Sequence, residues 1–247
     1  MKGVLLAGGQ GTRMRPVTIT VNKHLFPVYN QPMIFYPLLS LLRAGVNEVM
    51  IITSPEHLSA IKSVILHGHN QGLFGKATID YGLQLKPNGL AAALAIAREF
   101  VGNESCALIF GDNIIEDDLA THFQSFTDGA MIFLKEVERP QDFGVPRMKG
   151  DRVLELIEKP ANPPSNFAAI GVYMFDNTVF GRFDKQKPSA RGEYEITDLL
   201  NTYIPESKLR AVKLYGEWFD VGTFDRLHEA AAFIRKKLSD QNGQTKS

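Results

Sequence analysis

Short apolar runs alternate with longer stretches of helical period through the first half of this 247-residue chain. The short runs are rich in β-branched residues, and the longer ones repeat apolar side chains every three or four residues, which is typical of βα units. Connections of this length suit crossovers between parallel strands. The pattern predicts strands at residues 3–6, 49–53, 78–83 and 107–110 and helices at residues 33–43, 57–66 and 90–100. We therefore expect an α/β fold with a mainly parallel sheet and flanking helices.

The second half of the chain changes to strand-like pieces, including residues 153–157 and 170–175, around a proline-rich loop at residues 159–164. This change predicts an inserted β region on the substrate side of the fold. Because α/β folds of this size often form one unit, we expect a single domain over residues 1–235. The polar tail at residues 236–247 is expected to fray.

Charge and hydropathy narrow the classes of partner. Lys plus Arg and Asp plus Glu each total 27, so no overall field attracts a nucleic acid polymer or an acidic membrane surface. No apolar run approaches the roughly 20 residues of a membrane helix, and the N-terminus lacks a signal-type apolar core. We expect a cytoplasmic protein whose phosphate binding, if present, is local.

The single cysteine, Cys106, falls in an apolar run, so we expect a small buried strand residue rather than a reactive thiol. His67-Gly68-His69 could suggest zinc. However, the segment is predicted to be a loop, and no further His or Cys follows at ligand spacing. We assign no function to these histidines.

A glycine-rich segment follows the first predicted strand directly and reads Leu6-Ala7-Gly8-Gly9-Gln10-Gly11-Thr12-Arg13-Met14-Arg15-Pro16. Glycines at the carboxyl end of a strand let backbone amides approach an anion without interference from Cβ. The segment matches neither the dinucleotide fingerprint, because residue 14 is Met, nor the P-loop, which needs Gly-Lys-Ser/Thr. Arg13 adds a planar fork of donors suited to phosphate oxygens. The alternative is a glycine turn with solvated arginines.

Lys23 lies slightly downstream, before an apolar pair and Pro27, which blocks helix propagation. Such a segment can hold a lysine rigidly near the glycine-rich loop. Alone it is weak support, since most lysines are solvated.

Two aspartates follow apolar strand-like runs, Asp112 after Gly111 and Asp220 after Phe219. Mg²⁺ favours one or two carboxylates, with water and substrate phosphates completing its octahedron. The two residues are therefore candidate magnesium ligands, and the alternative is that each caps a turn or a helix.

These elements together resemble the glucose-1-phosphate thymidylyltransferases (dTDP-glucose pyrophosphorylases) of the sugar nucleotidyltransferase family, in their short form. The resemblance covers roughly residues 1–235. It rests on the glycine-rich loop, Lys23-His24-Leu25-Phe26-Pro27, Gly111-Asp112-Asn113, Phe143-Gly144-Val145, Glu158-Lys159-Pro160, Arg191-Gly192-Glu193-Tyr194-Glu195-Ile196-Thr197-Asp198 and Asp220-Val221-Gly222-Thr223.

The resemblance implies the nucleotide-diphospho-sugar transferase fold. A Rossmann-like nucleotide-binding half would span about residues 1–130, and a sugar-binding half about residues 131–235. It also implies magnesium-dependent, in-line attack of glucose 1-phosphate on the α-phosphorus of dTTP, with release of pyrophosphate. A phosphate monoester has a second pKa of about 6, so the attacking oxygen is already ionised and needs no general base.

Site residues follow from the resemblance by position. Catalytic roles fall on Arg13, Lys23 and Lys159. The implied nucleotide-binding residues are Leu6, Gly8, Gly9, Gly11, Thr12, Gln84, Gly89 and Asp112. The implied sugar pocket contains Gly144, Glu158, Lys159 and Gly171, and Mg²⁺ is assigned to Asp112 and Asp220. The amide of Gln84 can pair with thymine or uracil. For Glu158 and Lys159 the alternative is a surface ion pair.

The sequence departs from the family pattern at Ala92, where glutamine is usual, and at Ala169-Ile170, where Val-Thr is common. Two other functions stay open: use of UTP in place of dTTP, and a noncatalytic sugar-nucleotide sensor. We expect a homo-oligomer, either a dimer or a tetramer. Longer family members add C-terminal helices that carry a regulatory nucleotide site, so we expect weak or absent feedback through such a site here.

Overall fold

The structure is a computed structural model that describes residues 1–244. Its strands are β1 (Lys2–Leu6), β2 (Pro27–Val28), β3 (Gln31–Pro32), β4 (Glu48–Thr53), β5 (Thr78–Leu83), β6 (Cys106–Phe110), β7 (Asn113–Ile115), β8 (Ala130–Glu136), β9 (Gly144–Lys149), β10 (Arg152–Glu158), β11 (Phe167–Phe175), β12 (Leu209–Lys213) and β13 (Trp218–Asp220). Its α-helices are α1 (Phe35–Arg43), α2 (Leu58–Asn70), α3 (Leu90–Ala95), α4 (Arg98–Val101), α5 (Ala120–Gln124), α6 (Val179–Phe183), α7 (Ile196–Asn201) and α8 (Phe224–Gln244). Short 3₁₀ turns occupy Thr12–Met14, Val17–Ile19, Lys23–Leu25, Pro55–His57 and Pro140–Asp142.

A large twisted sheet joins the two halves of the chain. Its strands run in the order β10-β9-β11-β6-β1-β4-β5, and β8 continues from β11 to β12. The pairs of β1 with β4, β1 with β6 and β4 with β5 are parallel, as the βα pattern predicts. The second half adds β11, which is antiparallel to β6, β8 and β9. The α/β fold class with an inserted β region is confirmed.

The predicted strands of the first half agree with the structure to within one residue. The predicted helix at 90–100 is instead two short helices, α3 and α4, separated near Ala97. The polar tail is helical as far as Gln244, because α8 continues through it. The part of the expected tail at residues 245–247 lies outside the described residues.

Helix α2 corrects the expected loop at His67-Gly68-His69, since the helix continues to Asn70. A Cβ on Gly68 would lie 2.7 Å from the Phe74 ring and 2.8 Å from the Phe35 ring. The glycine therefore permits close packing against two aromatic rings, which outweighs its poor helix propensity. Both histidines are exposed.

Cys106 is buried in β6, as expected of a small strand residue. Burial raises the pKa of its thiol to about 12, which keeps it protonated and unreactive. Among residues 1–244, no helix has both the length and the apolar character that crossing a membrane requires.

The carboxyl ends of the parallel strands meet at one edge of the sheet. Leu6 pairs with both Ile52 and Phe110, and Thr53 pairs with Leu83. The glycine-rich loop, Gln84 and Asp112 each follow one of these strand ends. Sheets of this type bind ligands at this edge.

A second, two-stranded sheet brings a distant segment to the same place. Strand β13 is antiparallel to β7, with Asp220 opposite Asn113, and the Val221 N–H donates to the Asp112 carbonyl over 2.9 Å. Residues from the end of the domain thus lie beside the end of β6.

Candidate functional site

The glycine-rich loop is anchored at its first residue. The N–H of Ala7 donates to the carbonyl of Ile52 over 2.7 Å. The Ala7 carbonyl accepts from the Asn22 side chain over 3.1 Å and from the Thr53 hydroxyl over 3.3 Å. These bonds fix where the chain leaves β1 and link the loop to the segment that carries Lys23.

Gly11 makes the sharp turn of the loop. Its φ is 58°, in the left-handed region, and a Cβ there would lie 2.9 Å from Cγ2 of Thr18. The Thr18 hydroxyl donates to the Gly11 carbonyl over 2.8 Å, which closes the loop. Thr12 and Arg13 follow in a 3₁₀ turn.

Lys23 lies in a 3₁₀ turn that its neighbours hold rigid. The side-chain oxygen of Asn22 accepts from the backbone N–H of His24 over 2.9 Å and from its Nδ1 over 2.6 Å. Burial, assisted by the nearby Lys23 charge, lowers the pKa of His24 to about 3, so the ring is neutral. This turn fixes the position of the Lys23 backbone.

Lys23 and Asp112 form a buried ion pair. The ammonium contacts Asp112 Oδ2, and only 10% and 12% of the two side chains are exposed. Burial opposes ionisation of Asp112, but the Lys23 charge holds the pKa of that carboxyl below its usual value. Asp112 is therefore an anion at neutral pH.

Asp220 is a second carboxylate near Asp112. Burial, followed by the Asp112 charge, raises the pKa of Asp220 to about 6, and Lys23, Arg13 and Arg226 oppose this. Its Oδ2 lies 3.8 Å from Nη2 of Arg13. The structure thus brings together Arg13, Lys23 and both aspartates.

Neither aspartate caps a helix. The Thr223 hydroxyl accepts from the Arg226 N–H over 3.3 Å at the start of α8. Asp112 instead accepts from Lys23 and from Asn113 Nδ2, the latter over 3.0 Å. These contacts argue against helix capping, and the roles of both aspartates as metal ligands stay a prediction.

Gln84 lies between the glycine-rich loop and the turn before α3. Its Nε2 donates weakly to the Gly89 carbonyl over 3.4 Å, and a Cβ on Gly8 would lie 3.0 Å from its Oε1. Gly89 has a φ of 112°, and a Cβ there would lie 2.5 Å from the Tyr194 backbone. A glycine is therefore required where residues 88–91 pack on Tyr194.

Glu158 is the central residue of the expected sugar pocket. Burial raises its pKa, while Lys159 and Arg191 favour the ionised form, each lying 3.9 Å from Oε1. A Cβ on Gly144 would lie 3.7 Å from Glu158 Oε2. The Lys159 side chain is 51% exposed and that of Glu158 is 23% exposed, so the ion-pair alternative stays open.

Gly171 is packed too closely for any side chain. A Cβ there would lie 2.4 Å from the Phe110 ring and 2.9 Å from Asn113 Oδ1. Gly171 lies in β11, where it packs against Phe110 at the end of β6.

The remaining expected residues lie along the same edge. The Leu6 carbonyl accepts from the Gly111 N–H over 2.8 Å, and a Cβ on Gly9 would lie 3.9 Å from Cε of Lys23. The residues missing from the sequence-based set are Asn22, His24, Asn113 and Arg191. Each lies inside or beside a motif that was noted, but only its tertiary contacts single it out.

The donor set suits a hard divalent cation. Within residues 1–244 no group of three or more His, Cys, Asp or Glu side chains is placed to hold a metal ion by itself. Two converging carboxylates are enough for Mg²⁺ when substrate phosphates supply further oxygens.

Comparison with known proteins gives a consistent result. The model of the nucleotidyl transferase family matches residues 2–237. The chain is 40% identical over 250 residues to a glucose-1-phosphate thymidylyltransferase of Neisseria meningitidis, covering 98% of this chain and 85% of that protein.

Solved structures agree. One is of a Bacillus anthracis protein assigned as a glucose-1-phosphate thymidylyltransferase, in complex with sucrose. It superposes with a TM-score of 0.88 at 39% identity, covering 95% of each chain. A UDP-glucose pyrophosphorylase in complex with UDP-glucose superposes with a TM-score of 0.84 at 25% identity, covering 96% of this chain and 98% of that one.

Proposed function

The chain belongs to the nucleotidyl transferase family, and from this premise we propose that it transfers dTMP from dTTP to glucose 1-phosphate. The products are dTDP-glucose and pyrophosphate. The observation that carries the proposal is the convergence of Arg13, Lys23, Asp112 and Asp220 beside the glycine-rich loop.

The proposed reaction is a displacement at phosphorus. An ionised oxygen of glucose 1-phosphate attacks the α-phosphorus of dTTP in line, and the bond to the β-phosphate oxygen breaks. No general base is needed, because the nucleophile is already ionised near neutral pH. Catalysis then depends on positioning and on stabilising charge.

In this proposal, the glycine-rich loop and two basic residues bind the nucleotide. The amides of the loop that contains Gly8, Gly9, Gly11 and Thr12 bind the triphosphate beyond Leu6. Arg13 stabilises the departing pyrophosphate, and Lys23 neutralises the reacting phosphates. In the structure the Lys23 ammonium contacts Asp112. A phosphate that binds beside Asp112 would therefore lie close to Lys23.

Asp112 and Asp220 would hold the divalent cation that this chemistry uses, which we propose is Mg²⁺. Bound there, the ion would neutralise charge that develops on the phosphate oxygens. The two carboxylates lie close enough for Asp112 to raise the pKa of Asp220, and Asp112 is ionised at neutral pH, as a cation site requires.

In this proposal, residues on either side of the phosphate site recognise the base and the sugar. Gln84 and the Gly89 backbone read thymine, and Gly144, Glu158 and Gly171 line the glucose pocket. The oxygens of Glu158, which is mostly buried, are suited to accept hydrogen bonds from sugar hydroxyls. Lys159 binds the phosphate of glucose 1-phosphate.

A second nucleotide is a specific alternative. The similarity to a UDP-glucose pyrophosphorylase favours UTP, and a glutamine amide pairs equally well with uracil. We also propose that the protein acts in the cytoplasm as a homo-oligomer, which light scattering would test.

Pyrophosphate release tests the proposal. Glucose 1-phosphate is supplied with dTTP or UTP, with and without Mg²⁺, and dTTP with Mg²⁺ is expected to give the fastest turnover. Faster turnover with UTP would favour the alternative, and no turnover with either would favour a sugar-nucleotide sensor.

A pair of matched variants ties turnover to the site. Asp112→Asn is expected to abolish metal-supported turnover. Asp118→Asn is the control, because Asp118 is exposed and its carboxylate accepts from the Ala120 N–H over 2.9 Å at the start of α5. Equal activity in the two variants would contradict the assignment of Asp112.

A further inference from the structure

Asn113 connects the segments that carry the two aspartates. It is 2% exposed. Its side chain contacts Asp112, and its backbone lies opposite Asp220 in the β7–β13 pair. Its side chain therefore contacts one aspartate of the proposed cation site, and its backbone lies opposite the other.

The direction of the Asn113 amide is fixed by its partners. Oδ1 accepts from the Trp218 indole N–H over 2.7 Å and from the Gly171 N–H over 3.1 Å. Nδ2 donates to Asp112 Oδ1 over 3.0 Å. Turning the amide over would place NH₂ against two N–H donors and an oxygen against a carboxylate. Only one orientation satisfies all three partners.

This arrangement places one hydrogen-bond donor on each oxygen of the Asp112 carboxylate. Asn113 holds Oδ1, and the other oxygen contacts the Lys23 ammonium. A lysine side chain can move when a cation or phosphate arrives, whereas the amide is held by a buried indole and by the backbone of β11. Without Asn113, the carboxylate would be free to rotate about χ2, which is a soft torsion.

We propose that Asn113 is a positioning residue that sets the direction of the Asp112 carboxylate relative to Asp220, so that both can bind one divalent cation. This rests on the proposed function. Asn113 itself touches neither the cation nor the reacting atoms in this proposal. Groups that orient a metal ligand typically affect affinity or activity by roughly 10–100-fold.

The first test is the metal requirement of Asn113→Ala. The Mg²⁺ concentration for half-maximal pyrophosphate release is expected to rise roughly 10–100-fold. An asparagine with a merely structural role would lower the melting temperature and leave the Mg²⁺ requirement unchanged, which would overturn the proposal.

The second test uses binding without turnover. Calorimetry measures dTTP affinity with and without Mn²⁺ in the absence of glucose 1-phosphate. The factor by which Mn²⁺ strengthens dTTP binding is expected to shrink in Asn113→Ala. The same factor in both proteins would overturn the proposal. If the wild-type protein shows neither turnover nor an effect of Mn²⁺ on dTTP binding, the proposed function is wrong, and the role of Asn113 in it is wrong as well.

Two further variants separate positioning from folding. Trp218→Phe removes one of the two donors to Asn113 Oδ1. It is expected to raise the Mg²⁺ requirement, but by less than Asn113→Ala does. If Asn113→Ala does not fold, an unchanged requirement in Trp218→Phe overturns the proposal. Asn201→Ala is the matched control. The Asn201 side chain also makes hydrogen bonds, two of 2.8 Å to the Leu156 backbone, but it does not contact Asp112. This variant is expected to lose stability with no change in Mg²⁺ requirement.

Discussion

Asp220 shows how a site residue can weaken the fold. It is buried beside another carboxylate, and its pKa is raised to about 6. Because this folded-state pKa lies above the ordinary value of 3.8, the folded protein holds the proton more tightly than the unfolded chain does. The stability of the fold therefore falls as the pH rises from about 4 to about 6, and the loss is complete above that range.

Asp220→Asn is therefore expected to stabilise the protein at pH 7.5 while lowering turnover. The gain is at most about 3 kcal/mol, since each pKa unit corresponds to about 1.4 kcal/mol. Melting temperatures of both proteins at pH 5 and pH 7.5, without divalent cations, measure it. The gain should be larger at pH 7.5, and an equal or smaller gain there would show that this carboxylate is not strained.

Lys159 allows a test of substrate-side selectivity. It has a φ of 43°, which asparagine tolerates, so Lys159→Asn removes the ammonium with little backbone strain. The KM for glucose 1-phosphate is expected to rise roughly tenfold or more, as about 1.5–3 kcal/mol for a bond to a charged group implies. The KM for dTTP should change little.

Lys149→Ala is the control for this kinetic experiment, because Lys149 is exposed at the opposite end of the β9–β10 hairpin. Equal effects of Lys159→Asn on both substrates would contradict the role assigned to Lys159.

At the scale of elements, periodicity predicted the strands of the first half and the position of α1. It failed at the end of α2, where a glycine between two histidines indicated a loop. The helix continues because Gly68 packs on the Phe35 and Phe74 rings, and the contact with Phe35 is not local in sequence. The second half was less predictable, since its strands join the sheet out of chain order.

Gly68→Val tests this interpretation of α2. Overpacking against the two rings is expected to cost roughly 1–3 kcal/mol in the free energy of unfolding. Turnover per folded molecule should be unchanged. His67→Ala and His69→Ala should each stay within about 0.5 kcal/mol of wild type, as exposed positions do. A loss of stability on chelation of zinc would contradict the structural account.

Gly89→Ala tests the turn that carries the base-reading residues. A Cβ would collide with the Tyr194 backbone, so residues 88–91 must shift and the KM for dTTP is expected to rise. Gly102→Ala is the control, because Gly102 also has positive φ, at 61°, but has no atom within 4 Å of a built Cβ. An unchanged KM for dTTP in Gly89→Ala would contradict a role for this turn in nucleotide binding.

At the scale of the molecule, the individual site residues could be proposed from sequence, but their arrangement could not. A glycine-rich loop after a strand and an aspartate after another predict a common edge, because parallel strands end together. Asp220 reaches that edge through the pairing of β13 with β7, in which it lies opposite Asn113. The sequence therefore could not show that Asp220 lies near Asp112, and its role as a metal ligand stays a prediction.

The central claim is that the glycine-rich loop, Lys23 and the two aspartates converge on one nucleoside triphosphate. A crystal structure with dTTP and Mn²⁺ tests it most directly, because anomalous scattering locates the manganese independently of the model. The account predicts the triphosphate along residues 8–13 and an anomalous peak bound by the carboxylates of Asp112 and Asp220. An empty loop, or manganese bound elsewhere with these two side chains turned apart, would contradict it.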